Sequence, residues 1–320
     1  IVTINGAYGE IDMEAARKNG LPLVMDVEMD GRFNQIAKDY DGMNVKVAEG
    51  KLIADMAGFV WRTEKYKHSY PHCWRCDTAL LNYATDAWFV SVDKIKERML
   101  EENAKVHWTP GHVGEGRFQA WLENARDWCI SRSRYWGTPL PVWVSDSGKY
   151  ICIGSIEELE QLSGMKVDDL HKPFVDKIEF EKDGELYTRI PEVLDCWFES
   201  GAMPYAQQHY PFENKEKFEA NFPAKFIAEG LDQTRGWFYT LMVLGCGLFD
   251  KSPYENVIVN GLVLAEDGKK MSKRLQNYPD PNVIFDKYGA DALRFYLMNS
   301  PVVKAKPLRF SEKGVNEVVR

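Results

Sequence analysis

Between residues 226 and 259 the sequence reads strand, helix, strand, and that order restricts the fold more than any other feature. Phe226-Ile227-Ala228 is a short apolar run. A helix follows from about Asp232, with Phe238, Leu241, Met242, Gly245 and Leu248 on one stripe. Val257-Ile258-Val259 is a nearly continuous apolar run, as expected of a strand buried on both faces. Strands alternating with helices predict an α/β fold on a mostly parallel sheet. Ligands on such sheets bind beyond the carboxyl ends of the strands. Those ends are Glu229-Gly230, Asn260-Gly261, and a Glu199-Ser200-Gly201 turn after a strand expected over 193–198.

The remaining patterns add short helices over 12–18, 93–103 and 118–125, the last with Phe118, Trp121, Leu122 and Ala125 on one face. Strands are expected over 1–4, 85–92 and 127–131. The charged, turn-rich stretch at about 145–190 reads as an insertion. With 320 residues the chain is long enough for two domains, or one with insertions. No 18-residue apolar run exists, so no membrane-spanning helix and no membrane partner is expected. A net charge of −8 argues against nucleic-acid binding over the whole surface, but leaves room for a local basic patch. Cys129, Cys152, Cys196 and Cys246 stand alone and read as buried thiols of a reducing compartment, which predicts a cytoplasmic protein. The opening Ile1-Val2-Thr3-Ile4 is not a signal peptide and reads as a strand entered midway, which suggests a piece of a longer protein.

The densest chemistry lies in Lys269-Lys270-Met271-Ser272-Lys273-Arg274, four cations in six residues after the Asp267-Gly268 turn. Such a run is either a solvated basic loop or a loop that neutralises a polyphosphate, where cations are needed as charge develops on phosphate oxygens. Cys73 and Cys76 form one C-x-x-C, half of a tetrahedral zinc site. His68 and His72 are the local candidates to complete it, and two free thiols are the alternative. Arg132, Arg134, Tyr135 and Trp136 make a compact cationic and aromatic cluster, which packs by cation–π contact or meets single-stranded RNA.

Taken together, these motifs resemble the class I aminoacyl-tRNA synthetases. Lys270-Met271-Ser272-Lys273-Arg274 resembles their KMSK-type signature. The stretch from Trp128 to Pro139 is similar to an "ISRxRYWGxP" segment, and the one from Asp195 to Gly201 to "DxWFxSG". Glu229-Gly230-Leu231-Asp232-Gln233-Thr234-Arg235-Gly236-Trp237-Phe238 is similar to "EGxDQxRGWF". The combination is closer to the isoleucyl branch than to the valyl and leucyl branches, and Asn260 to Gly268 resembles its eukaryote-like members.

The resemblance implies the second half of a Rossmann-like catalytic domain with insertions, preceded by the tail of an editing domain. It implies editing-domain residues over 1–65, a C-x-x-C knuckle over 66–90, the catalytic domain over 91–275 and a helical connection over 276–320. It implies ATP-dependent activation of isoleucine and its transfer to tRNA(Ile), with ATP and Mg2+ and, through Cys73 and Cys76, a zinc ion. Lys270 and Lys273 take the catalytic roles. Gly230, Asp232, Gln233, Asn260, Gly261 and Lys273 line the ATP site. Glu229 holds the amino group of the adenylate, and Trp197 and Trp237 wall the isoleucine side chain. Arg132, Arg134 and Trp136 meet the acceptor end of the tRNA.

Bland readings stand beside these. Asp232 is also an N-cap residue by type, and Glu229 a carboxylate near a helix start. Asp12 matches the second Asp of an editing "GEDD" stretch at Gly9-Glu10-Ile11-Asp12, with Ile11 replacing the first Asp and Thr3 the upstream His; otherwise it is a plain helix N-terminal residue. The family's H-x-G-H signature does not occur, since His112-Val113-Gly114-Glu115 lacks the second His. A valyl or leucyl relative, and a non-catalytic module that binds tRNA or protein, are the rival readings.

Overall fold

The computed structural model describes residues 4–73, 76–273 and 275–320. The start of the expected first strand with Thr3, the interior of the C-x-x-C (Trp74, Arg75) and Arg274 of the basic loop lie outside the described residues. The chain divides into two compact units, 1–86 and 87–320. Among the described residues no helix is long and apolar enough to cross a membrane.

The first unit has a small core of Ala7, Ala16, Val27 and Ala48. Polar bonds carry much of its organisation. The Tyr8 hydroxyl donates to Asp26 Oδ1 (2.9 Å) and accepts from the Val27 amide (2.8 Å). Burial and that bond to Asp26 push the Tyr8 phenol up to about 12. The helix Glu10–Lys18 ends at Asn19-Gly20, as the sequence predicts. A second helix, Val45–Asp55, starts where the Asn44 side chain accepts from the Lys46 amide. No apolar stripe announced it, and a single cap starts it.

The second unit is built on a three-stranded parallel sheet, with Asn256–Asn260 between Ile227–Gly230 and His107–Thr109. The helix Trp237–Phe249 crosses from one strand to the next, and its residues 238–246 are all buried. Phe118, Leu122, Phe238, Met242, Tyr254, Val257 and Val259 share that core. The central strand departs from the expectation of burial on both faces: Val257 and Val259 are buried, but Ile258 is 42% exposed. Its flanks are hydrogen-bonded on both sides, but the face that carries Ile258 is open.

Among the described residues parallel pairing is found in this core, with a bridge from Ala224 to Tyr254, and in the short pair Val263–Leu264 with Leu308–Arg309. The other sheets are antiparallel, which narrows the expected mostly parallel architecture to a mixed α/β one. The largest runs Tyr150–Cys152, Val142–Ser145, Glu185–Arg189, Phe180–Lys182 in spatial order. It turns at Gly148 and at Asp183-Gly184, all at positive φ, and Trp143, Leu159, Val175 and Phe180 give it a core of its own. The C-terminal helices Pro281–Tyr288, Ala290–Met298 and Glu312–Val319 pack around Ile284, Phe310 and Val315.

Two expected strands shrink. Only Phe89–Val90 forms over 85–92. Over 193–198, Val193–Leu194 is a strand and Cys196–Ala206 is a helix, so Glu199 to Gly201 lies in a helix rather than a turn. The reason is Asp195, whose Oδ1 accepts from the Trp197 amide and caps the helix. Of the cysteines read as buried, Cys246 is buried and Cys129 half-buried, but Cys152, on an outer strand, and Cys196, at a helix start, are exposed.

Candidate active site at the carboxyl edge of the parallel sheet

Parallel register sets Glu229 beside Val259 and Gly230 beside Asn260, so both strand ends named from sequence lie side by side at one edge. The chain turns there from strand into the single-turn helix Leu231–Arg235. At Gly230 a Cβ would stand 2.7 Å from Asp232 Oδ1, so a glycine lets the Asp232 carboxylate lie over the strand end. Glu229 and Asp232 are exposed, and neither carboxylate has a hydrogen-bond or ion-pair partner among the described residues.

Gln233 is used differently. Its Oε1 accepts from the Trp237 amide at 2.9 Å, so it caps the helix Trp237–Phe249. Gly236 sits between them, where a Cβ would meet Gln233 Oε1 at 2.7 Å and Trp197 Cη2 at 3.3 Å. The Trp237 indole Nε1 donates to the Ser200 carbonyl at 3.1 Å. Trp197, Gly236 and Trp237 are therefore one contiguous group. Gly201 seats the two helices against each other, since a Cβ there would lie within 3.2 Å of Leu244 and Thr240.

Gly261 has a packing reason of its own. A Cβ there would lie 1.9 Å from the Lys306 carbonyl oxygen, and its amide donates to the Val302 carbonyl at 2.8 Å. The turn 301–306 thus closes against the end of the central strand.

Beyond Asn260 the chain pairs briefly and turns at Asp267-Gly268. Gly268 has φ +81 and lies against the Arg309 guanidinium, so only glycine fits without strain. Asp267 accepts from the Lys269 amide and pairs with its ammonium (3.2 Å), and these bonds hold its carboxyl below the usual carboxylate range. Lys270 and Lys273 are exposed, with no side-chain partner among the described residues. Asn277 holds the loop: its Oδ1 accepts from the Ser272 amide (2.9 Å) and its Nδ2 donates to the Lys270 carbonyl (3.1 Å).

The cationic and aromatic cluster divides. Arg132 is committed inward: NH1 donates to the Cys129 and Ser131 carbonyls, and NH2 to Asp195 Oδ2 at 2.8 Å. Arg134 is exposed, and Trp136 is 72% exposed and stacks on His171 (centroids 5.5 Å apart). Both border a cleft of about 1470 Å³ that also reaches Glu199 and Asp195.

Asp12, Cys73 and Cys76 belong to the first unit. Asp12 stands in the first turn of its helix, with Oδ2 folded back toward Gly9, as suits a carboxylate at a helix N-terminus. Cys76 Sγ meets Thr78 Oγ1 at 3.2 Å, and bonds to Thr78 and Cys73 draw its thiol below the ordinary value. His68 Nδ1 and His72 Nδ1 lie at 2.8 Å from the Ser69 and Asp77 carbonyls. Among the described residues no three His, Cys, Asp or Glu side chains form a metal-holding group, so these residues do not fit a complete zinc site.

Two contributors escaped the sequence reading. Arg117 Nε donates to Thr234 Oγ1 (2.9 Å), and that buried hydroxyl donates to the Leu231 carbonyl (2.8 Å), tying down the turn that carries Asp232 and Gln233. Asp195, read only as part of a motif, gathers three donors. The Arg117 bond spans 117 positions and leaves no local signal, whereas an Asp just after a short apolar run is a cap signal that could have been used.

The profile of the family described as tRNA synthetases class I (I, L, M and V) matches residues 7–309. The chain is 55% identical, over all of its length, to isoleucine–tRNA ligases of Chlamydia trachomatis serovar L2 and Chlamydia trachomatis serovar D, and 53% identical to that of Chlamydia pneumoniae. It spans 31% of the length of these relatives. A solved ternary complex of Agrobacterium radiobacter K84 agnB2 LeuRS with tRNA and LeuAMS aligns with 97% of the chain and 33% of the LeuRS, at 19% identity and a TM-score of 0.48. With the family profile covering nearly all of both units, the chain belongs to the class I tRNA synthetases of the I, L, M and V group.

Proposed function

We propose that this chain supplies the second half of the Rossmann-like catalytic domain of a cytoplasmic isoleucine–tRNA ligase, preceded by the tail of an editing domain. The observation that carries the reading is the joint edge at Glu229-Gly230 and Asn260-Gly261, with the Trp197–Trp237 wall beside it and unpaired lysines on the loop that follows. The identity to the chlamydial relatives along the whole chain favours isoleucine over valine or leucine.

In this reading the reaction joins the isoleucine carboxylate to the α-phosphorus of ATP, and pyrophosphate leaves. The acyl group then passes to a ribose hydroxyl of tRNA(Ile). The Glu229 carboxylate, free of other partners among the described residues, holds the ammonium of isoleucine. Two indoles bury the branched side chain by area. The Asp232 carboxylate over Gly230 accepts from ribose hydroxyls. Asn260 and the Gly261 backbone face the nucleotide, while Gln233 acts through the helix it caps. Lys273, assisted by Lys270, stabilises charge that grows on the departing pyrophosphate, and Mg2+ shares that task as part of the ATP substrate. Arg134 and Trp136 offer a cation and a stacking face to the single-stranded acceptor end.

The test is ATP–pyrophosphate exchange by a protein of the relatives' full length that carries this chain. Isoleucine should drive exchange far faster than leucine. Equal rates with the two amino acids would rule out the isoleucyl assignment.

A further inference from the structure

We propose that Asp195, paired with Arg132, is a positioning residue for the amino-acid side of the site, holding Trp197 in place; this rests on the functional reading above. Asp195 is 3% exposed. Its Oδ2 accepts from Arg132 NH2 (2.8 Å) and from the Trp128 indole (3.0 Å), and its Oδ1 from the Trp197 amide (3.2 Å). Its own amide donates to the Ile130 carbonyl at 2.7 Å. A buried carboxylate is tolerated only when paired and fully hydrogen-bonded, and here Arg132 supplies the charge. The Arg132 donors that meet it and the Cys129 and Ser131 carbonyls turn inward, so its role is support of this carboxylate rather than contact with tRNA.

The knot ends the pairing of Ser131–Arg132 with Val193–Leu194 and is also the N-cap of the Cys196–Ala206 helix. That helix has no slack to absorb a shift. Gly201 is wedged against Thr240 and Leu244, and the Trp197 ring lies against Gly236, next to Trp237. Phe198 packs on Trp128 with centroids 5.9 Å apart, which ties the next residue to the same knot. Moving the cap therefore moves Trp197 against its neighbours, at the wall proposed for isoleucine. Among the described residues no side-chain hydrogen bond or ion pair joins the knot to Asp232 or to the lysine loop.

Three variants of the full-length protein test this by ATP–pyrophosphate exchange and by tRNA charging: Arg132→Met, Asp195→Asn and the pair together. Arg132→Met leaves a buried carboxylate alone and should raise the isoleucine KM about tenfold, with the ATP KM within about twofold. Asp195→Asn keeps the Oδ1 acceptor for Trp197 and should raise the isoleucine KM less. The double variant leaves no charge buried alone, so its isoleucine KM should fall back below that of Arg132→Met. Additive effects in the double variant, equal shifts in the isoleucine and ATP constants, or an Arg132→Met variant altered only in its KM for tRNA would each overturn the proposal. Because Asp195→Asn is nearly isosteric, an unchanged isoleucine KM in that variant overturns it even if Arg132→Met does not fold. A wild-type protein without isoleucine-dependent exchange would overturn the functional reading, and this inference with it.

Discussion

Trp197 and Trp237 are held by groups that are themselves buried or bonded, whereas Lys270 and Lys273 stand exposed on a loop tied by backbone turns and the Asn277 side chain. The tryptophans share Gly236 between them, a cap from Asp195, a cap from Gln233 and the bond from Trp237 to the Ser200 carbonyl. The lysine loop has Asn277, the Leu264–Lys270 backbone bridge and the packing of Met271 against the C-terminal helices. The difference suits the two tasks. Recognition of an aliphatic side chain depends on shape, and shape needs fixed walls. Stabilising charge that moves during a reaction needs cations that can follow it, and Lys carries its charge on a flexible stem.

The largest effect that separates the two sides should come from Lys273→Ala. In the full-length protein kcat for adenylate formation should fall by about 10²–10³. The isoleucine KM should stay within about twofold, because the interaction matters only as charge develops. Thermal stability should not change, since Lys273 bonds to nothing else described. A raised isoleucine KM with unchanged kcat would place Lys273 on the recognition side and break the comparison.

Next comes Gly261→Ala. A Cβ 1.9 Å from a backbone carbonyl cannot be relieved by rotating a side chain, so the turn 301–306 or the strand must shift. Overpacking of this kind costs about 1–3 kcal/mol. Calorimetry should show a lowered Tm, and stability equal to wild type would show that 301–306 is not fixed against the strand. Gln233→Ala should cost about 1 kcal/mol through the lost cap on Trp237. It should also raise the isoleucine KM more than the ATP KM, although the residue resembles part of the nucleotide site. The opposite split would return Gln233 to ATP.

How much of this was readable in the sequence depends on the range of the contact. The strand–helix–strand core was legible because burial writes itself as apolar runs and a stripe, and the strand ends at Glu229 and Asn260 followed from it. Val193 to Phe198 misled because a short apolar run fits a strand and a helix equally. The Asp195 cap decides between them, and its partners Trp128 and Arg132 are 67 and 63 positions away. Gly261 reads as a gap left for a ligand until the Lys306 carbonyl is seen against it. The antiparallel sheet over 142–189 was legible as turns and charge, but not as a sheet, because its strands are only three to five residues long. Residues joined by local caps can be recovered from sequence. Those joined only in space, such as Arg117 with Thr234, cannot.

The smallest effect should come from Asn277→Ala, and it bears on the loosely held side. Asn277 makes one bond as acceptor and one as donor, both to the backbone of the lysine loop, the first partly buried and the second exposed. Losing them should cost about 1 kcal/mol, because solvent reaches the exposed partner fully and the other in part. Tm should therefore hardly move. The loop keeps Met271, the Leu264–Lys270 bridge and the turn at Asp267-Gly268, but the Ser272 amide loses its acceptor, so the amides of Ser272 and Lys273 should exchange hydrogen faster than in wild type. Adenylate formation should slow by a few fold, since Lys273 must then be ordered during the reaction at an entropic cost. The isoleucine KM should not change. Faster exchange with an undiminished kcat would mean that the loop is ordered by the substrate itself and that Asn277 merely parks it. Unchanged exchange would mean that the loop is as firmly held as the tryptophan wall, and the contrast between the two sides would disappear.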